Sequence, residues 1–224
     1  MQPKQIVINN LPPRQRPYAH PNWLAAYLAR EAQCLLALHT YGRRQLPPNG
    51  SVFDTTQHDR AVAWVAANLQ AQGYRVFTQE NNKFWLTTQN GLTISGQPDI
   101  VALASSTSES LVVEVKTGSA LPKHQAQLEI YMAAAPCVGL HQLTTIPRGR
   151  LVYVDPQKMA IINSIEIPPE RINDSWKQNM RRLTAVITAK EPPAPSPSMA
   201  ECQFCRLNAV CPAAAQPATG TADF

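Results

Sequence analysis

Hydrophobic and polar positions alternate along this chain in two rhythms. From Asn22 to Thr40 (NWLAAYLAREAQCLLALHT) apolar residues recur at three- and four-residue spacing among good helix formers, which predicts one helix over 22–40 carrying Cys34, with a stop near Gly42. A polar stretch with Pro47, Pro48 and Gly50 separates it from a second amphipathic run, His58 to Gln72, ended by Gly73. The period then shortens to two. Residues 74–78, 83–89, 92–95 and 99–104 have strand character and are punctuated by Asn81-Asn82 and Asn90-Gly91, a pattern that predicts a β-meander.

After a polar turn at 105–110, Leu111 to Lys116 (LVVEVK) reads as a short strand with charges in its second half, unusual for a buried strand. Lys123 to Ala135 is predicted helical, Arg150–Val154 and Ala160–Ile167 form a hairpin across Pro156-Gln157, and a long helix spans about Glu170 to Ala189. The order α, α, β-meander, α, β, β defines an α/β fold. Residues 1–191 are expected to form one domain. Residues 192–199 read as a stiff Pro-rich connector, 200–212 as a cysteine segment, and 213–224 as a disordered tail.

Composition narrows the partners. The chain has 224 residues, 44% of them hydrophobic, enough for one domain with a core or one domain with a small appendage. Its 20 Lys and Arg against 15 Asp and Glu give a formal charge of +5, which favours an anionic partner such as nucleic acid, although such an excess is also common on proteins without one. No run approaches the roughly 18 apolar residues of a membrane span, and Met1 to Pro17 lacks the apolar core of a leader, so a soluble, unprocessed, cytoplasmic protein is expected. Five cysteines in such a setting are more useful to metal or to chemistry than to disulfides.

The chemistry is carried by Gly96-Gln97-Pro98-Asp99 and, fifteen to seventeen residues beyond that aspartate, Glu114-Val115-Lys116. Side chains alternate along a strand, so Glu114 and Lys116 share a face while Val115 turns to the core and leaves its carbonyl free. Asp99, Glu114 and the Val115 carbonyl would suit a hard ion such as Mg2+ or Mn2+, and Lys116 would orient or help deprotonate an attacking water in phosphodiester hydrolysis. A lone E-x-K is ordinarily a surface ion pair; the apolar neighbours and the upstream Pro-Asp change that balance. Gln127 and Tyr131, four apart, share a helix face with Lys123 about one turn earlier, a face that could grip phosphates or merely be solvated. His58 could ligate the same metal or cap its helix.

Cys202-x2-Cys205-x5-Cys211 places three thiols in a segment too short for a core of its own, and Cys34 is the obvious distant fourth. A 4Fe-4S cluster, a zinc ion and free thiols all remain open on these residues, the cluster fitting the unpaired spacing best. Cys137 reads as a small buried side chain.

The succession His58, Gly96-x-Pro98-Asp99, Glu114-Val115-Lys116-Thr117-Gly118 and Gln127-x3-Tyr131 resembles the RecB-like branch of the PD-(D/E)XK nucleases. With Cys34 upstream and CxxC-x5-C downstream, the chain looks like the CRISPR-associated RecB-like exonucleases and is similar to the iron-sulfur nuclease domains of AddB-type repair proteins. It departs from the former where Leu35-Leu36 follow Cys34 in place of their frequent Pro-Arg. The resemblance implies a restriction-endonuclease-like core, with a C-terminal iron-sulfur segment packed on the N-terminal helix. It also implies a metal-dependent deoxyribonuclease acting on DNA ends or single strands, with His58, Asp99, Glu114 and the Val115 carbonyl as ligands, Lys116 catalytic, and Gln127 and Tyr131 supporting the site. Cys34, Cys202, Cys205 and Cys211 would hold 4Fe-4S. CRISPR integration proteins or other nuclease subunits are the implied partners; the rival reading is a weakly active DNA-binding subunit of a larger complex.

Overall fold

The computed structural model describes residues 11–46, 54–104, 109–196, 198–211 and 213–214. Expectations for the polar turn's 105–108 and for tail residues 215–224 lie outside the described residues. Two sheets and six helices of six or more residues organise the described chain. The larger sheet is mixed, in the order β2 (Tyr74–Thr78), β5 (Ile100–Ala104), β6 (Ser110–Lys116), β7 (Arg148–Asp155), β8 (Ala160–Ile167). All its neighbours are antiparallel except β6 and β7. That parallel pair needs a crossover, which is α4 (Pro122–Cys137), started by a proline at its first position where no N–H is required.

Strand periodicity sorts the sheet into two faces. Ile100, Ala102, Leu111, Val113, Val115, Val152 and Val154 pack against Ala61, Val62, Val65, Ala66 and Leu69 of α3 (Thr56–Ala71). The intervening Val101, Val112, Leu151 and Tyr153 pack with Leu128 and Met132 of α4 on the other face. Each fully buried Val or Leu contributes about 1.5–3 kcal/mol of transfer free energy, so this two-sided burial makes the sheet a mixed layer flanked by helices, consistent with a restriction-endonuclease-like core. Among the described residues no helix is long and apolar enough to cross a membrane.

Three expectations change. The helix over 22–40 is two helices, α1 (Pro21–Leu28) and α2 (Leu35–Arg43), with Cys34 extended at the N-cap of the second. Arg30 at φ 59 turns the chain, with Glu31 N–H donating to the Ala26 carbonyl (2.8 Å), a left-handed stop made without glycine. The meander is likewise split: β2 pairs with β5, whereas β3 (Phe84–Thr87) and β4 (Thr93–Gly96) join β1 (Tyr18–Ala19) in a separate small sheet. The helix expected from Glu170 begins as α5 at Asp174, because the Asn173 side chain accepts the Trp176 N–H at 3.0 Å and caps it there; Glu170 lies in a preceding 3-10 turn.

Packing of α1 on α4 and of α2 on α5 adds a helical layer beside the small sheet. The C-terminal α6 (Met199–Phe204) returns to the start of α2, where the Glu201 carboxylate accepts the N–H groups of Gln33 (3.0 Å) and Cys34 (3.1 Å). A carboxylate at a helix N-terminus satisfies donors that have no partner within the helix and complements its dipole. The cysteine segment is thus docked on the N-terminal helices.

Candidate active site

The β5–β6 ladder ends at the pair Ile100–Val113, which leaves Asp99 opposite Glu114. Past the last pair, the Asp99 side chain takes over from the backbone: Oδ2 accepts the Val115 N–H at 2.8 Å. Both carboxylates are buried, Asp99 8% and Glu114 3% exposed. By alternation Glu114 and Lys116 share the α4 face with Val112, and there Lys116 Nζ lies 2.7 Å from Glu114 Oε1 and donates to Gln127 Oε1 at 3.2 Å. Gln127 Nε2 in turn donates to the Tyr131 hydroxyl at 3.0 Å. His58, in the first turn of α3, reaches from the other side, with Nε2 3.2 Å from Asp99 Oδ1.

The site therefore brings together His58, Asp99, Glu114, Lys116, Gln127 and Tyr131. Lys123 is drawn elsewhere: its backbone N–H donates to Glu31 Oε1 (2.9 Å) and its ammonium pairs with the same carboxylate at 3.6 Å. Val115 buries its side chain against α3, as alternation requires.

Electrostatics follow from this burial. Desolvation, then the Asp99 charge, push the Glu114 carboxyl well above the usual range, while the Lys116 ammonium opposes the shift. The bond to Asp99 raises His58 against the effect of burial. Burial raises the Tyr131 phenol, keeping it a neutral hydrogen-bond partner.

One residue that supports the site appears in the sequence only within a turn signal. Asn82, fully buried, donates through Nδ2 to the carbonyls of Phe77 (3.0 Å) and Pro98 (3.1 Å), and its Oδ1 accepts from His141 Nε2 at 2.8 Å. The His141 ring stacks on Phe77 with centroids 3.7 Å apart, and burial holds its pKa below the usual range, so the neutral ring donates from Nε2. The Pro98-Asp99 turn is thereby clamped to the end of β2. Gly96, the first residue of the Gly96-x-Pro98-Asp99 motif, has a steric role: a Cβ there would lie 2.7 Å from Tyr131 Cε1 and 2.9 Å from the Phe84 ring, so the missing side chain lets Tyr131 approach.

Among the described residues no group of three or more His, Cys, Asp and Glu side chains is gathered as a ready ion cage. The donor chemistry nevertheless fits a divalent cation. Glu114 Oε2 is buried without any hydrogen-bond partner, a costly state for a carboxylate oxygen that a cation would relieve. At the other end of the molecule Cys34, Cys202, Cys205 and Cys211 line one apolar pocket with Leu36, Ala37 and Leu207. Burial and the three other thiols raise Cys211, the Tyr41 hydroxyl lies 3.3 Å from Cys205 Sγ, and the Tyr27 hydroxyl donates to the Cys34 carbonyl at 2.7 Å. The four thiols share the lining of this pocket, but among the described residues their side chains are not gathered into a ready ligand set. Cys137 stays apart and is exposed rather than buried as expected, because it falls in the last turn of α4, where its thiol bonds the Ala133 carbonyl.

A profile of the PD-(D/E)XK nuclease superfamily matches residues 6–212. The chain belongs to that superfamily, whose members are in general metal-dependent nucleases using Mg2+ or Mn2+. No curated protein matches the chain. Among solved structures, that of SSO0001 is similar at 19% identity over 91% of this chain and 90% of its own, with a TM-score of 0.49.

Proposed function

We propose that this protein is a metal-dependent DNA exonuclease of the RecB-like branch, acting on DNA ends or single strands, and that it carries a 4Fe-4S cluster. The observation that supports it most is the convergence of Asp99, Glu114 and Lys116 with an unpartnered Glu114 oxygen in one buried site. His58, Asp99, Glu114 and the Val115 carbonyl would hold Mg2+ or Mn2+. When bound, the ion would supply charge stabilisation at the scissile phosphate and acidify an attacking water. Lys116, held by Glu114 and Gln127, points its ammonium at the same space and would position that water and balance phosphate charge. Tyr131 fixes Gln127, and Gln127 fixes Lys116, so the line of bonds restricts the ammonium to one position. Cys34, Cys202, Cys205 and Cys211 would ligate the cluster, tying the C-terminal segment to α2. A cytoplasmic role in CRISPR spacer acquisition or DNA repair, with partner proteins, follows from the resemblance alone.

The test is purification without oxygen, iron and sulfide analysis, and incubation of labelled single-stranded DNA with Mn2+ or with chelator. The expected result is a coloured protein that degrades DNA only with metal, with cutting lost and binding kept in Lys116→Ala. A colourless protein that binds DNA but does not cut it, whichever metal is added, would instead support a DNA-binding subunit. Cation binding must displace the proton that burial holds on Glu114, so affinity for Mn2+ should tighten as pH rises through the upward-shifted pKa and weaken below it. A flat titration across that range, measured by calorimetry, would contradict the assignment of Glu114 as ligand.

A further inference from the structure

A cleft of about 750 Å3 lies away from the residues of the candidate active site, between the segment around Pro13 to Pro17, α2, and the segment from Lys190 to Pro195. Arg14, Arg43, Arg44 and Lys190 line it. Among the described residues none of these four forms an ion pair with a carboxylate, in contrast to Lys116, Lys123, Arg150 and Arg171. Two of the guanidinium groups are held in place by the fold. Arg14 lies over the rings of Tyr18 (5.1 Å) and Trp23 (5.9 Å) and donates from Nε to the Tyr41 carbonyl at 3.1 Å, and Arg44 donates to the Leu11 carbonyl at 3.1 Å. Such groups lose little further freedom on binding an anion.

His39 shows the sign of the local field. Burial and the charges of Arg43 and Arg44 hold it below its usual pKa, opposed by its bond to the Ala189 carbonyl (3.1 Å) and by Glu191, the nearby carboxylate. That bond fastens the C-cap of α5 to α2, next to Lys190, which lines the cleft together with Arg43. Leu36 and Pro195 line both this cleft and the pocket of the four cysteines, so the two sites share a wall.

We propose that this cleft is a second nucleic-acid contact, which takes the phosphate backbone of a single strand beside the cysteine pocket. A concave slot whose four cations form no ion pair among the described residues complements the phosphate backbone of one strand. The inference rests on the nuclease reading, because it supplies a hold on the substrate remote from the scissile bond.

The experiment measures binding of labelled oligodeoxythymidine, short and long, by fluorescence anisotropy in chelator so that nothing is cut, over a range of salt. The proteins are the full chain, Arg43→Gln/Lys190→Gln, the charge-reversed Arg43→Glu/Lys190→Glu, and Lys158→Gln on the distant β7–β8 turn as control. The expected result is at least tenfold weaker binding of the long strand by the Gln pair, a smaller loss for the short strand, and no change for the control. Two lost phosphate contacts should also reduce the slope of log affinity against log salt by about 1.4, at about 0.7 per contact on single strands. Unchanged affinity and slope in both double variants, folded by circular dichroism, would overturn the proposal, as would an equal loss for short and long strands or for duplex. Cutting by the full chain and by Lys116→Ala with Mn2+ is measured in parallel. Loss of cutting in Lys116→Ala with indifferent cleft variants leaves the nuclease and removes the cleft; absent cutting with weakened cleft variants does the reverse.

Discussion

At the scale of single residues, the candidate site depends on what is missing as much as on what is present. Gly96 has no Cβ, and the Tyr131 and Phe84 rings fill the space one would need. Gly96→Ala should therefore destabilise the protein by about 1–3 kcal/mol, the usual cost of overpacking, and lower activity through displacement of Tyr131 and Gln127; urea unfolding and cutting assays on the variant read both effects. The acidic pair and the lysine were legible because strand alternation alone places Glu114 and Lys116 on one side and Val115 on the other, and the β5–β6 hairpin sets Asp99 opposite. In the sequence Asn82 is part of a turn signal and His141 belongs to no motif. Their work is a hydrogen bond between segments 59 positions apart, and nothing in local spacing reports such a partner. Lys123 keeps the helical spacing expected of it, and Glu31 from the loop after α1 engages it, a contact that spacing along one helix does not report.

At the scale of elements, the strands were easier to read than the chain's reversals. The β2, β5, β6, β7 and β8 strands lie close to their expected spans; in the central β5, β6 and β7 two-sided burial demands runs of Val, Ile, Leu and Ala, while the edge strands β2 and β8 are marked by β-branched and aromatic residues bounded by turn signals. The split between α1 and α2 was invisible because Arg30 adopts a left-handed conformation without the glycine that usually announces one. The separation of β3 and β4 into another sheet depends on pairing with β1, a partner more than seventy residues away that is only two residues long. Between β2 and β5, Asn82 is the joint: Asn82→Ala would strand the carbonyls of Phe77 and Pro98, at a cost of about 1–3 kcal/mol for buried groups left unsatisfied. The Pro98-Asp99 turn should loosen, with a larger fall in kcat than rise in KM. Equal kinetics in the variant, with stability unchanged, would show that the turn holds itself.

At the scale of the whole molecule, the two ends of the described chain meet through Glu201 and the four cysteines. Glu201→Ala should leave the N–H groups of Gln33 and Cys34 without their acceptor and cost about 1 kcal/mol, as for loss of a helix cap. It should also speed bleaching of any bound cluster by chelator or air, followed by visible absorbance, because the cap holds Cys34 against the C-terminal segment. A variant that bleaches at the wild-type rate would separate the cap from metal retention.

That same closure imposes an order on how the protein is made. Glu201 lies 167 positions after Cys34. At ribosomal speeds of roughly 5–20 residues per second the interval is roughly 8–33 s, during which the start of α2 stands uncapped and Cys34 waits for three thiols that do not yet exist. The central sheet, whose strands all lie between those two points, can form first. Completion of the cysteine pocket then follows the central sheet, and a chain cut short before Glu201 would carry every residue of the candidate active site while lacking the contact that ties the cysteine segment to α2.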